Sequence, residues 1–348
     1  MPIPMITVIQ NGKGFSGKQS LVKEFILLPK PHLSFQEGID LISRVNRNIR
    51  DTLYQSKTNP GAANKCITDI GSYTCSLETP QQALELIENA IVTSLGNEMA
   101  SNLSIALNIA ANEIYDHEKN KYESATGALK SSDELIDQFA DLISKFPRIM
   151  MLIEPFINSD QIAWYRLNLR ISKFCLLANN LRLSDISSHE NKNSETSENN
   201  DVISPIDNKI PDILKPSSSL IMPVNFYKFE NATNVTHIGG LLSDINEKKL
   251  FSGLSCSLNE TDDDFLADLA VGNQVKFLKI GGFNRSERVN KINRLIDIEY
   301  YLSDNKKLLD PKSEQRDINF SPEIEIPADI SETISNYEDP KNAKIGKK

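Results

Sequence analysis

The chain has 348 residues, of which 39% are hydrophobic and 24% charged, with a formal net charge of −9. That length holds one large domain or two ordinary ones, no stretch approaches the roughly eighteen apolar residues of a spanning helix, and the start, MPIPMITVIQ, lacks the basic flank and apolar core of a signal peptide. The acidic balance disfavours nucleic-acid or anionic-membrane binding, which needs a clustered basic surface.

The predicted elements alternate along the chain. Phe25–Leu28 is a short apolar run ending at Pro29, and Phe35, Ile39, Ile42, Val45, Ile49 and Leu53 then recur at helical spacing. Thr79-Pro80 opens another helix, with an N-cap candidate and proline at the first helical position, and Leu84, Ile87, Ile91 and Leu95 share one face. Leu103–Ile109 reads as a buried strand. Ser131 and Glu134 have capping-box spacing ahead of Leu135, Phe139, Leu142 and Phe146. Ile149–Ile153 is too short for a helix and stops at Pro155. A helix over 161–170 leads into a strand at Phe174–Ala178. Apolar runs at 220–229, 250–256 and 275–280 read as strands, and 262–271 and 286–302 as helices. This alternation predicts an α/β fold with a parallel sheet covered on both faces, and eight or so strands favour a closed (β/α)8 barrel.

Two segments break the rhythm. Residues 187–201 (SSHENKNSETSENND) contain no aliphatic or aromatic side chain and predict a disordered insertion. The expected barrel occupies 1–303, and 304–348 reads as a mobile charged tail with short docking segments around Phe320–Ile326. The four cysteines (Cys66, Cys75, Cys175, Cys256) fit no zinc spacing and point to a reducing, cytoplasmic setting. His32, His117, His189 and His237 show no ligand spacing, Trp164 reads as helix packing, and the acidic run Glu260–Asp264 reads as a solvated helix N-terminus.

An ordered series of motifs resembles the barrel domain of the enolase (phosphopyruvate hydratase) family. NETDDDFLADLAVG at 259–272 and KIGGFNRSERVNKINRLIDIE at 279–299 are the strongest blocks. Pro2-Ile3-Pro4, Asn11-Gly12, Glu24-Phe25, Leu107 through Glu113 and Pro155-Phe156 fall in the same order as the family's corresponding stretches. The pattern is most similar to the divergent fourth-type, sperm-associated branch. The resemblance implies a TIM-like barrel in which one early strand is antiparallel, and a chain that begins where the family's barrel begins, without its N-terminal capping domain.

What the resemblance implies for chemistry is mixed. Enolases stabilise a doubly negative ene-diolate with divalent metal ions, using a lysine base and a carboxyl acid. The base position falls on Lys228, the second lysine on Lys279 and the catalytic-loop glutamate on Glu24, and all three residue types are retained. The proton-donor position falls on Ile70, within Thr68-Asp69-Ile70-Gly71-Ser72-Tyr73. The metal-ligand positions fall on Asn108, on either Ile153 or Glu154, and on Asn179. The phosphate-binding stretch reads Cys256-Ser257-Leu258, without its arginine, and the early-loop histidine position is Phe15. One oxyanion-stabilising group is worth roughly 10²–10³ in rate and a general acid about 10²–10⁴. Their joint loss predicts a pseudoenzyme with no metal cofactor, acting as a scaffold with protein partners, and the resemblance to the sperm-associated branch implies a ciliary or flagellar assembly. The alternative is a weak phosphopyruvate hydratase using Mg²⁺ and completed by a partner chain. Lys228 and Lys279 also leave room for a small anion.

Overall fold

The computed structural model describes residues 1–12, 21–55, 67–74, 77, 79–181, 222–228, 235–247 and 250–309. The insertion at 187–201, most of the tail, Phe15, Cys66 and Cys75 lie outside the described residues. The chain opens with two strands, β1 (Ile3–Gln10) and β2 (Glu24–Pro29), then two helices, α1 (Phe35–Gln55) and α2 (Pro80–Ala100). Next come β3 (Leu103–Asn108) and a small separate sheet of β4 (Tyr115–Asp116), β5 (Lys121–Ala125) and β6 (Ala128–Lys130). Helix and strand then alternate through α3 (Ser132–Lys145), β7 (Ile149–Ile153), α4 (Gln161–Ile171) and β8 (Leu176–Leu181), and the next described element is β9 (Val224–Lys228). The last third holds α5 (Val235–Glu247), β10 (Phe251–Ser255), α6 (Phe265–Gly272), β11 (Phe277–Gly281) and α7 (Ser286–Asp304).

Eight strands close a barrel in the order β1-β11-β10-β9-β8-β7-β3-β2. Every pairing is parallel except those of β2, which runs antiparallel to both β1 and β3. Local chemistry sets the helix ends. Thr79 and Gln82 form a reciprocal capping box at α2, and Ser131 and Glu134 form another at α3. Two starts fall later than the sequence pattern predicts. Phe174 and Cys175 donate their N–H groups back to Ile171 O at 2.9 and 3.0 Å, which prolongs the exit from α4 and delays β8 to Leu176. α6 begins at Phe265, because the Asp263 carboxylate accepts the Phe265 N–H at 3.0 Å in a preceding turn.

Strand pleating divides the core into two layers. Met5, Ile26, Ala106, Met151, Phe226 and Phe277 fill the barrel interior, while Leu27, Leu107, Leu152, Leu177, Leu254 and Leu278 face the surrounding helices. Gly253 makes room for the largest of the interior groups: a Cβ there would lie 2.5 Å from two Phe226 ring carbons. Gly253→Ala therefore overpacks the interior and is expected to destabilise the chain by about 1–3 kcal/mol in urea unfolding, with Phe226→Leu in the same chain recovering part of the loss. Equal stability of Gly253→Ala and the parent would contradict this packing.

Candidate functional site at the barrel mouth

The alternation that fills the barrel with apolar groups ends in polar ones at the C-terminal end of the parallel strands. Lys228 follows Val224 and Phe226, Ser255 follows Gly253, Lys279 follows Phe277, and Asn108 follows Ala106. Because β2 is reversed, it is the first residue of that strand, Glu24, that stands level with them, paired in register with Asn108 and Gln10. The apolar layer below makes this end a lined mouth over a packed floor, the place where barrel sites form.

Glu24 is the centre of that mouth. Its Oε1 accepts from Lys279 Nζ at 2.8 Å and from Asn108 Nδ2 at 2.8 Å, and its Oε2 accepts from Thr7 Oγ1 at 3.0 Å. Burial alone pushes the carboxyl's pKa up. The Lys279 ammonium more than offsets this by charge and hydrogen bond, with help from Lys23 and Asn108, and holds it at about 2. Asn108 has both ends of its amide engaged, since its Oδ1 accepts the Ala110 N–H at 3.2 Å. Lys23 in turn bridges to Glu113.

Both Ile153 and Glu154 reach this end, for different reasons. Ile153 points into the barrel as the pleat requires and joins the interior cluster. Glu154 has left the strand with a left-handed φ of 48°, its N–H donating to Ala178 O and its carbonyl accepting from Ala111 N. Its side chain hydrogen-bonds Asn180 and lies within the fields of Lys228, Lys279 and Lys23. These partly offset the burial that raises its pKa. Asn179 is not brought to this group. Ala178 faces the interior, so Asn179 turns outward beside Asn225, fully buried, and it is Asn180 that returns to the mouth.

Ile70 is buried on the loop 67–74, which lies across the end of β11. Gly282 N donates to Ile70 O at 2.7 Å, Asn284 N and Nδ2 donate to Gly71 O, and a Cβ on Gly282 would sit 2.1 Å from that same Gly71 oxygen. The two glycines thus let backbone meet backbone, and place next to the mouth an aliphatic group that neither gives nor takes a proton.

The stretch Cys256-Ser257-Leu258 is enclosed by residues of α7 whose importance sequence reasoning missed. Arg288 Nη2 donates to Ser257 O and Leu258 O at 2.7 and 2.9 Å, and Lys291 Nζ donates to Thr261 O and Asp263 O at 2.9 and 2.7 Å. Both cations are fully buried, and Glu260 answers them, 3.4 Å from Lys291 and accepting the Ser257 N–H at 2.9 Å. The solvated reading of the acidic run is therefore corrected for Glu260, which is a half-buried counter-ion to two buried cations. Burial first, then the Glu260 charge, pushes the Cys256 thiol up to about 12, so it is no nucleophile near neutrality. The available signal was the i, i+3 spacing of Arg288 and Lys291, opposite a loop rich in backbone carbonyls.

Magnesium takes octahedral oxygen ligands, usually with one or two carboxylates among them. Here Asn108 is engaged at both ends and Glu24 is bound to an ammonium. What remains among the described residues is the Glu154 carboxylate and Asn180 Oδ1, a buried acceptor with no hydrogen-bond partner among them, both close to lysines. Among the described residues no three His, Cys, Asp or Glu side chains converge as a metal group. Among the described residues, this donor set does not fit a magnesium cage.

Comparison with known proteins gives a consistent relationship. The family profile described as "Enolase, C-terminal TIM barrel domain" matches residues 1–203 and 245–316. The chain is 30% identical to Enolase 4 of Homo sapiens, over 97% of this chain and 52% of that protein, and 33% identical to Enolase 4 of Xenopus laevis, over 86% and 48%. It is 25% identical to an enolase of Metallosphaera sedula, over 86% of this chain and 64% of that one. The chain thus spans about half the length of the Enolase 4 relatives it matches.

The Glu24 pair has a consequence for stability. A carboxyl whose pKa falls from 4.5 to about 2 on folding contributes stability that is fully present above the unfolded value and is lost as pH falls through the folded one. The shift is worth on the order of 3 kcal/mol. The stability advantage of the parent over Glu24→Gln is expected to shrink by about that amount between pH 6 and pH 2 in urea titrations. An advantage independent of pH would contradict the ionised pair.

Proposed function

The chain belongs to the enolase family through its C-terminal TIM-barrel domain, and from that premise we propose that it is a catalytically inactive barrel, without a magnesium cofactor, that serves as a structural component binding other proteins. The observation that carries this reading is Asn108. An amide that donates to Glu24 at 2.8 Å joins two positions that, as carboxylates, would repel each other unless a cation lay between them. A neutral donor removes the need for the cation. Ile70 beside the mouth supports the same reading, since a departing hydroxide needs a proton donor. The substrate's phosphate would also lack an arginine from the 256–258 stretch, where Arg288 is bound to backbone carbonyls instead.

The resemblance to the sperm-associated branch supports a ciliary or flagellar setting for this role, in a protein otherwise cytoplasmic. A second reading is favoured by the retained Lys228, Lys279 and Glu24, which stand together at the mouth. On that reading the chain is a weak phosphopyruvate hydratase, converting 2-phosphoglycerate to phosphoenolpyruvate and water, with a partner chain completing the site.

A magnesium-containing assay of the purified chain on 2-phosphoglycerate separates the two. We expect turnover below about 1 s⁻¹, the lower edge of the usual enzyme range, and no difference between the parent and Lys228→Ala. Turnover above that level in the parent, lost in Lys228→Ala, would establish the hydratase reading instead.

A further inference from the structure

The opposite end of the barrel carries a cleft of about 600 Å³ that the mouth chemistry leaves unexplained. It opens where β2 ends and where β3 and β7 begin, and its lining includes Lys30, Glu88, Lys145, Phe146, Arg148 and Phe174. Arg148 is answered there: its Nε donates to Glu88 at 2.7 Å, and its Nη1 donates to the carbonyls of Ala100 and Leu103. Lys30 and Lys145 have no carboxylate partner among the described residues. Burial, and then the Arg148 charge, lower the pKa of the Lys30 ammonium, as expected of an uncompensated cation. Phe174 leaves 69% of its surface exposed at the cleft's edge. A patch of surplus positive charge beside an open aromatic ring is unusual on a chain with net charge −9.

The chain's own sequence holds the complement. α7 finishes at this end of the barrel: Glu299 accepts the Phe35 and Gln36 N–H groups at 2.7 and 2.9 Å, and Tyr300 Oη donates to Gln36 Oε1 at 2.6 Å. Those residues open α1, a few positions after Lys30. Leu309, the last described residue, is 60% exposed. Beyond it, Asp317–Asp339 carries seven carboxylates and no lysine or arginine, interleaved with Phe320, Ile324, Ile326 and Ile330. The intervening residues, if extended, reach roughly 26 Å, enough to cross one end of a barrel.

We propose that the acidic segment Asp317–Asp339 docks back into this cleft within the same molecule, its carboxylates on Lys30 and Lys145 and its apolar side chains against Phe146 and Phe174. The charge term places it in a salt-sensitive regime, since exposed pairs are screened over about 10 Å at 0.1 M ionic strength.

Carbodiimide cross-linking of the intact chain, which joins a carboxylate to a lysine amine without a spacer, tests this by mass spectrometry. The monomer fraction is expected to yield links from Lys30 or Lys145 to carboxylates of 317–339, several-fold fewer at about 0.5 M than at about 0.05 M NaCl. Hydrogen exchange across 317–339 is expected to speed up several-fold when Lys30→Gln and Lys145→Gln are combined. Both substitutions lie at the cleft surface, so near-parent circular dichroism serves as the folding check. Links confined to a dimer fraction would assign the cleft to a second copy and overturn the proposal. So would tail links spread evenly over exposed lysines such as Lys119 and Lys173, or exchange unchanged by the paired substitution.

Discussion

A carboxylate buried at a barrel mouth persists in its charged form only when that charge is answered within a few ångströms, and Glu24 is answered by Lys279 at 2.8 Å. The pair does more than neutralise. Through Thr7, Asn108 and Lys279, one side chain on β2 touches β1, β3 and β11, so a single group links the reversed strand to both of its neighbours and to the strand beyond. The polar layer above the apolar floor is arranged around that compensation. Removing either partner would leave an uncompensated buried charge, a loss typically of about 3–5 kcal/mol.

The same logic governs the far side of the mouth. Arg288 and Lys291 are buried on α7. Their donors go to the carbonyls of Ser257, Leu258, Thr261 and Asp263, with Glu260 as counter-ion. Charges that sit near the mouth are thus committed to holding backbone. A protein using this end as a rigid surface needs that order, whereas a site that binds and releases a phosphate needs cations left open to it. The fold is shared with a family of enzymes, but fold alone does not carry function, so the proposed structural role rests on the side chains at the mouth.

Much of this was legible in the sequence, and the exceptions have physical causes. The capping boxes at Thr79 and Ser131, the helical stripes of α1 and α3, and most barrel strands followed from periodicity and cap chemistry. The first strand, β1, gives no clear strand signal, because Pro2 just before it and Pro4 within it mask a run buried on both faces. The β4–β6 sheet leaves little trace in the sequence since its strands are short and polar, and α5 little because its paired glycines blur the apolar period. Among site residues, Asn179 and Asn180 are chemically identical, and only the register of β8 against β9 decides which one enters the mouth. Glu154 was ambiguous for a related reason. Pleating alone would turn it away from Ile153, and its left-handed backbone reverses that outcome.

On the proposed reading, internal lysines and amides at the mouth take the place of a metal ion. Thermal unfolding with about 10 mM MgCl₂, compared with EDTA at matched ionic strength, tests it directly. A ligand bound only by the folded chain would add roughly 2.7 kcal/mol at a hundred times its dissociation constant. Superimposable transitions are expected. A magnesium-specific rise of several degrees, abolished by Glu154→Gln, would contradict it.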